Sequence, residues 1–191
     1  MKRIAWKNKS NDQICITIPK NSGIKEGDIV SVTKEKINRI AYSHSGTDLF
    51  HYGHLRLIEA ANELADLNIC GVLTSEAITS YKQKPIIDLK ERISIISALR
   101  SVDMVMIQRS LDPTDNLKKI HEQFKDAKII LVHGSDWKKI PGEDYVKKIG
   151  GEIVCPPYYE KLSEQKVLNK IFKTYGDKGA LKHSERYHGK K

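Results

Sequence analysis

Residues 37–65 read INRIAYSHSGTDLFHYGHLRLIEAANELA, and their order decides the fold. INRIAYS, at 37–43, is an apolar run of strand length. A loop of Ser, Gly, Thr and Asp follows it. HLRLIEAANELA, at 54–65, then carries Leu55, Leu57, Ile58, Ala61 and Leu64, the spacing of a helix with one buried face. Strand, loop and amphipathic helix make up the unit from which parallel sheets are built. His51 and His54 flank Gly53 where that helix opens, and Asp48 stands in the loop just before them.

The same alternation continues downstream. Strands are expected at 67–74 (LNICGVLT), 102–108 (VDMVMIQ), 128–134 (KIILVHG) and 151–157 (GEIVCPP). Helices are expected at 89–101 with Asp88 as N-cap, at 116–125, at 142–150 ending on glycine, and at 163–173 with Ser163 as N-cap. Five strands with intervening helices predict an α/β, Rossmann-like parallel sheet covered on both faces, with ligands at the carboxyl ends of its strands.

The chain has 191 residues, 39% hydrophobic and 30% charged, enough for one domain with a real core. No apolar stretch is long enough to cross a bilayer, and the N-terminus lacks the apolar segment of a secretory signal, so a cytoplasmic location and no membrane insertion are expected. Cys15, Cys70 and Cys155 are odd in number, widely spaced and set among apolar neighbours, which argues for buried strand residues rather than disulfides or a metal cluster. The net charge of +9 suits an anionic partner: nucleic acid, an acidic surface or a phosphorylated small molecule.

Three regions follow: a β-hairpin appendage at 1–37, the α/β domain at 38–173, and a basic flexible tail at 174–191. In the appendage, DQICITIPKNSGIKEGDIVSVTKEK (12–36) alternates as two short strands around the turn residues PKNSGIKEGD. An isolated hairpin is marginal in water, so docking or a homodimer is expected.

At the histidine pair, Gly53 permits close backbone approach, and the helix start offers free N–H groups and the positive end of its dipole. Imidazoles there can bind phosphate oxygens, or can serve only as caps and packing. Zinc fits poorly, because Leu55, Arg56 and Leu57 supply no third ligand. No metal ligands are therefore assigned.

The stretch DLFHYGH resembles the HxGH signature of cytidylyltransferase-like nucleotidylyltransferases, with the Asp three residues before the first His. YKQKPIIDLKERISIISALRSVDMV (81–105) resembles a second motif of that family, at Lys82, Arg92, Arg100 and Asp103. VHGSDWKKIPG (132–142) resembles its H-G-D-D-W loop, with Ser135 in place of one Asp. PPYYEKLSEQKV (156–167) occupies the place of its R-T-E-G-I-S-T-S motif, but with Tyr158 for Arg, Lys161 for Gly, and Glu164 and Gln165 after the retained Ser163. In the opening loop, Ser45 and Thr47 replace Gly and Phe. A swapped-hairpin DNA-binding regulator is the family that the IPK…GIKEGD run of the appendage resembles, although nucleic-acid binding is not the expectation.

The resemblance implies that a phosphate or phosphonate oxygen attacks the α-phosphorus of CTP and expels pyrophosphate, with magnesium bridging the phosphates. His51, His54 and Lys82 would be catalytic. Ser45, Gly46, Thr47, Asp48, Gly53, His133, Gly134, Asp136, Trp137, Tyr159, Leu162 and Ser163 would bind nucleotide. Lys82, Arg92, Arg100 and Asp103 would bind the acceptor. Plainer readings stand beside these: Lys82 as a solvated loop lysine, Arg92 and Arg100 as surface ion-pair partners projecting from one helix face, Asp103 as a cap, Trp137 as packing, and Tyr158 and Tyr159 as strand-edge aromatics or a pocket for an organic cation. ATP could replace CTP, since the histidine motif is shared across that superfamily. A nucleotide-sensing or DNA-binding regulator with a degenerate transferase domain is the non-enzymatic alternative.

Overall fold

A computed structural model describes residues 6–8, 10–11, 13–18, 20–30, 36–135 and 137–187, with 6–7, 20 and 177–187 described by backbone alone. The chain divides into two compact units, Met1–Ile37 and Asn38–Lys191.

In the first unit, β1 (Trp6–Lys7) pairs antiparallel with β2 (Ile14–Cys15), Trp6 opposite Cys15. The hairpin is therefore not the expected one around PKNSGIKEGD. The polar run between the two strands closes it earlier: Asn8 N–H donates to the Gln13 carbonyl at 2.8 Å, and Asn8 Oδ1 accepts from the Ser10 N–H. Lys20–Ser22 form a single 3-10 turn, and Ile29, expected in the second strand, is 99% exposed without strand structure. The rest of that expected strand, from residue 31, falls outside the described residues.

The second unit holds a parallel sheet of β3 (Arg39–Ser45), β4 (Leu67–Leu73), β5 (Met104–Gln108), β6 (Lys128–Val132) and β7 (Glu152–Val154), in the order β5-β4-β3-β6-β7. β4 is buried at every position, as a central parallel strand covered on both faces must be. Helix α1 (Tyr52–Glu63) lays Ala61 on Ala41, Ile130 and Val132, and Ile58 on Cys70 and Val72. Each such fully buried isoleucine stabilises the fold by roughly 1.5–3 kcal/mol. A short α2 (Ser75–Thr79), not expected from the sequence, starts on a Thr74 cap whose Oγ1 accepts from Ala77 N–H at 3.2 Å.

Helix α3 (Leu89–Ser97) begins at Asp88 as expected, with the Asp88 carboxylate accepting the Glu91 N–H. It stops before Arg100, so Arg92 and Arg100 do not share a helix face. Helix α4 (Thr114–Gln123) buries Leu117 and Ile120, and α5 (Glu143–Lys148) packs Val146 against β6 and β7, ending before Gly150 at φ 71°. Helix α6 runs Glu164–Tyr187 with a kink at Gly176. The tail expected to be flexible from residue 174 is thus helical to Tyr187, and its Ala, Leu, Lys and Glu residues are good helix formers.

Cys70 is buried in β4, whereas Cys15 is half-buried and Cys155 is exposed. β7 ends at Val154, and Pro156 and Pro157, which cannot donate to a ladder, lead the chain away from the sheet.

The order of strand addition reverses at β3: the chain first builds outward to β4 and β5, then returns to place β6 on the other side. The carboxyl ends of β3 and β6 therefore bound a crevice, the position where open parallel sheets take their ligands.

Candidate active site

From the end of β3 the chain must turn sharply to start α1. Thr47 (φ 52°) and Leu49 (φ 45°) are both left-handed, a conformation that costs a non-glycine residue about 1–3 kcal/mol. Buried bonds hold the turn. Thr47 Oγ1 donates to the Gly46 carbonyl at 2.8 Å, and the Asp48 carboxylate accepts the Ile86 and Ile87 N–H groups at 2.8 and 2.9 Å.

His51 is the N-cap of α1. Its Nδ1 accepts from Gly53 N–H at 3.0 Å, and His54 Nδ1 accepts from His51 N–H at 3.4 Å. A ring nitrogen that accepts carries no proton, so each neutral ring bears its hydrogen on Nε2. The two rings stack with centroids 4.0 Å apart. Desolvation pushes His54 down to about 3, helped by His51 and Lys82 nearby, and desolvation is also the main cause lowering His51. Both are neutral N–H donors near pH 7. Gly53 is required for this arrangement, because a Cβ there would stand 2.9 Å from His51 Cε1.

The histidines open onto a cavity of about 430 Å³ whose wall also includes Ser45, Gly46, Gly53, Lys82, His133, Gly134, Trp137, Tyr159, Leu162 and Ser163. Four separate stretches of sequence thus converge on one crevice. Lys82 Nζ is bound by Glu164 Oε2 at 2.5 Å, and Glu164 Oε1 is buried without a hydrogen-bond partner among the described residues. Ser163 caps α6 by accepting the Lys166 N–H at 3.3 Å. Tyr159 meets Tyr52 edge-on and carries the Arg56 guanidinium over its ring at 5.7 Å, so a cation of the protein already uses that face.

Five expected ligand contacts lie off the cavity wall. Arg92 is completely buried; it donates to the carbonyls of Gly46 (2.7 Å), Leu73 (2.6 Å) and Ile87 (3.0 Å). It is not a surface ion-pair partner: it ties the ends of β3 and β4 to the loop before α3. Asp103 accepts the Asn68 N–H at 2.9 Å and joins the beginnings of β4 and β5, at the sheet edge remote from the histidines. Arg100 is exposed in the turn before it. Asp48 and Thr47 shape the loop from within. Asp136 falls outside the described residues.

Tyr81 and, above all, His44 line the cavity without having been expected there. The signal in the sequence was a polar residue at the carboxyl end of the first strand. It was passed over because the expected strand ended at Ser43, one residue before His44.

The doubly wound sheet, the crevice at its reversal and the neutral N–H donors at a helix mouth define a Rossmann-like α/β domain with its candidate site where such sheets take ligands. A family model described as cytidylyltransferase-like matches residues 47–164, and the chain belongs to that family of nucleotidyltransferases. It is 27% identical over 154 residues to the bifunctional protein HldE of Trichlorobacter lovleyi, covering 78% of this chain and 30% of that protein. To HldE of Geobacter metallireducens it is 28% identical over 153 residues, covering 78% and 30%. To HldE of Desulfatibacillum aliphaticivorans it is 30% identical over 137 residues, covering 70% and 27%. The chain thus spans about three-tenths of the length of these curated relatives.

Proposed function

We propose that the cavity transfers CMP from CTP to a small phosphorylated alcohol or phosphonate, releasing pyrophosphate. The observation that carries this reading is the histidine pair. Two neutral rings, each fixed through Nδ1 to the cap of α1, present Nε2–H donors at the positive end of that helix's dipole. The acceptor oxygen forms a bond to the α-phosphorus as the bridging oxygen leaves with pyrophosphate, and His51 and His54 neutralise the charge that accumulates around that phosphorus. Gly46 admits the phosphate closely, and Lys82 meets the acceptor phosphate or α-phosphate, which displaces the Glu164 carboxylate from it. Ser163 and the start of α6 receive the outer phosphates.

Magnesium enters with the triphosphate. Among the described residues no cluster of three His, Cys, Asp or Glu side chains could hold a metal, so phosphate oxygens would supply most of its ligands. Glu164 Oε1, without a partner among the described residues, is a protein oxygen suited to reach it. ATP as donor is the second reading, because the donors at the helix mouth address phosphate and not base. A homodimer paired through the first unit is supported by its isoleucines Ile14 and Ile29, 69% and 99% exposed among the described residues; light scattering should give twice the chain mass.

Pyrophosphate release measured with each nucleoside triphosphate over a panel of glycerol 3-phosphate, phosphocholine, phosphoethanolamine and aminoethyl- or hydroxyethylphosphonate tests the reaction. CTP is expected to support turnover with one of these acceptors. Turnover with ATP alone transfers the reading to adenylyl transfer, and none with any pair overturns it.

A further inference from the structure

We propose that His44 and His133 form a hydroxyl-binding subsite in the cavity wall, His44 donating to a ligand hydroxyl oxygen and His133 accepting its hydrogen. The inference rests on the nucleotidyl-transfer reading of the cavity and concerns a pair of side chains which that chemistry leaves unused.

A buried chain of hydrogen bonds sets the His44 tautomer. Asn116 Nδ2 donates to Tyr42 Oη at 2.9 Å, and Tyr42 Oη donates to Gln108 Oε1 at 2.7 Å. That orients the Gln108 amide so that its NH₂ faces the carbonyls of Ser110 (2.9 Å) and Leu111 (3.1 Å) and, at 3.2 Å, His44 Nδ1. An amide nitrogen does not accept, so a proton on His44 Nδ1 would point at a donor, and the ring proton resides on Nε2. The arrangement is tight: a Cβ on Gly71 would lie 2.1 Å from Tyr42 Oη.

His44 is 95% buried, and its Nε2 has no hydrogen-bond partner among the described residues, although the residue lies in the cavity wall. A buried N–H without an acceptor costs about 1–3 kcal/mol unless a ligand satisfies it. Burial also holds the ring far below the usual imidazole pKa, at about 3, so it is a neutral donor and not an anion clamp.

His133 is the complement. Its Nδ1 lies 3.1 Å from the Gly134 carbonyl, which can only accept, so Nδ1 carries the proton and Nε2 offers a lone pair. The rings stand 5.2 Å apart and are tilted by 57°. A phosphate oxygen would meet that lone pair unfavourably. A base edge would need its donor and acceptor in one plane. One tetrahedral oxygen that both accepts and donates, at hydrogen-bond distance of about 2.8 Å, would satisfy both nitrogens. A hydroxyl of the nucleotide's ribose or a hydroxyl of the acceptor supplies the same chemistry.

Calorimetric titrations of the full chain and of His44→Phe distinguish these sources. One arm compares CTP with 2′-deoxy- and 3′-deoxy-CTP, the other glycerol 3-phosphate with propyl phosphate. The wild-type protein is expected to bind the hydroxyl-bearing member of at least one pair about tenfold more tightly, and His44→Phe to lose that preference. Equal binding throughout each pair overturns the proposal, as does a preference that survives in His44→Phe or one that proves to separate CTP from UTP. Should His44→Phe not fold, the long-range ¹H–¹⁵N histidine spectrum of the wild-type protein decides. Nε2–H on His44 that shifts with the hydroxyl ligand and not with its deoxy partner supports the subsite; an Nδ1–H tautomer or equal shifts refute it. Absence of pyrophosphate release from every triphosphate would count against the transfer reaction alone, since the glycerol 3-phosphate arm and the tautomer still report on the subsite.

Discussion

Lys82 and Arg92 come from the same stretch of sequence, and both were expected to hold the acceptor. The fold gives them opposite tasks. Lys82 reaches the cavity with its side chain about one-third exposed and is paired with Glu164. Arg92 is sealed beneath the cavity with its guanidinium spent on main-chain carbonyls. A cation on a loop beside a crevice can exchange a carboxylate for a phosphate. One locked to the ends of two strands sets where that crevice lies, which is why an arginine, with a planar fork of donors, serves there.

Substituting each residue tests that division most strongly. Arg92→Met should lower unfolding free energy by about 3–5 kcal/mol, because it strips partners from buried carbonyls. Lys82→Ala should leave the urea midpoint nearly unchanged while reducing kcat/KM. Similar stability losses in the two variants would erase the distinction.

Next in size is the histidine pair. His54→Ala should reduce kcat at least about a hundredfold, the scale for one preorganised donor, with the fold retained. Near-normal turnover would remove the histidines from the chemistry.

Acid should sharpen the contrast between buried neutral rings and surface charge. His44 and His54 titrate at about 3 in the folded chain, against about 6.5 when unfolded. Between these values the unfolded chain takes up protons that the folded one refuses, so their contribution is intact above about pH 6.5 and declines as pH falls. At pH 5 each ring should cost about 2 kcal/mol, read as a lower urea midpoint than at pH 7. A flat profile would mean that these rings are not held neutral by burial.

The smallest effect is expected at Arg100. Arg100→Ala should change both stability and kcat/KM little, within about 0.5 kcal/mol, since the side chain is exposed and off the cavity wall. A tenfold rise in KM for the acceptor would return it to the site.

How much was legible depended on the kind of signal. The strands and long helices carried periodicity, and Asp88 and Ser163 announced their helices because a cap acts on N–H groups two or three residues away. Helix α2 was missed: five residues are too few for a period. The first-unit hairpin was misplaced because alternation identifies strands without naming their partners.

From sequence alone came the strand-loop-helix order, the doubly wound class and the histidines at the mouth of α1, since all three rest on residues close together in the chain. Tertiary structure alone decided which charged groups face the crevice and which brace it. Arg92 meets Gly46 across 46 positions, and Gln108 meets His44 across 64. Whether a buried polar atom is satisfied or left waiting for a ligand depends on contacts at such separations, which no local pattern encodes.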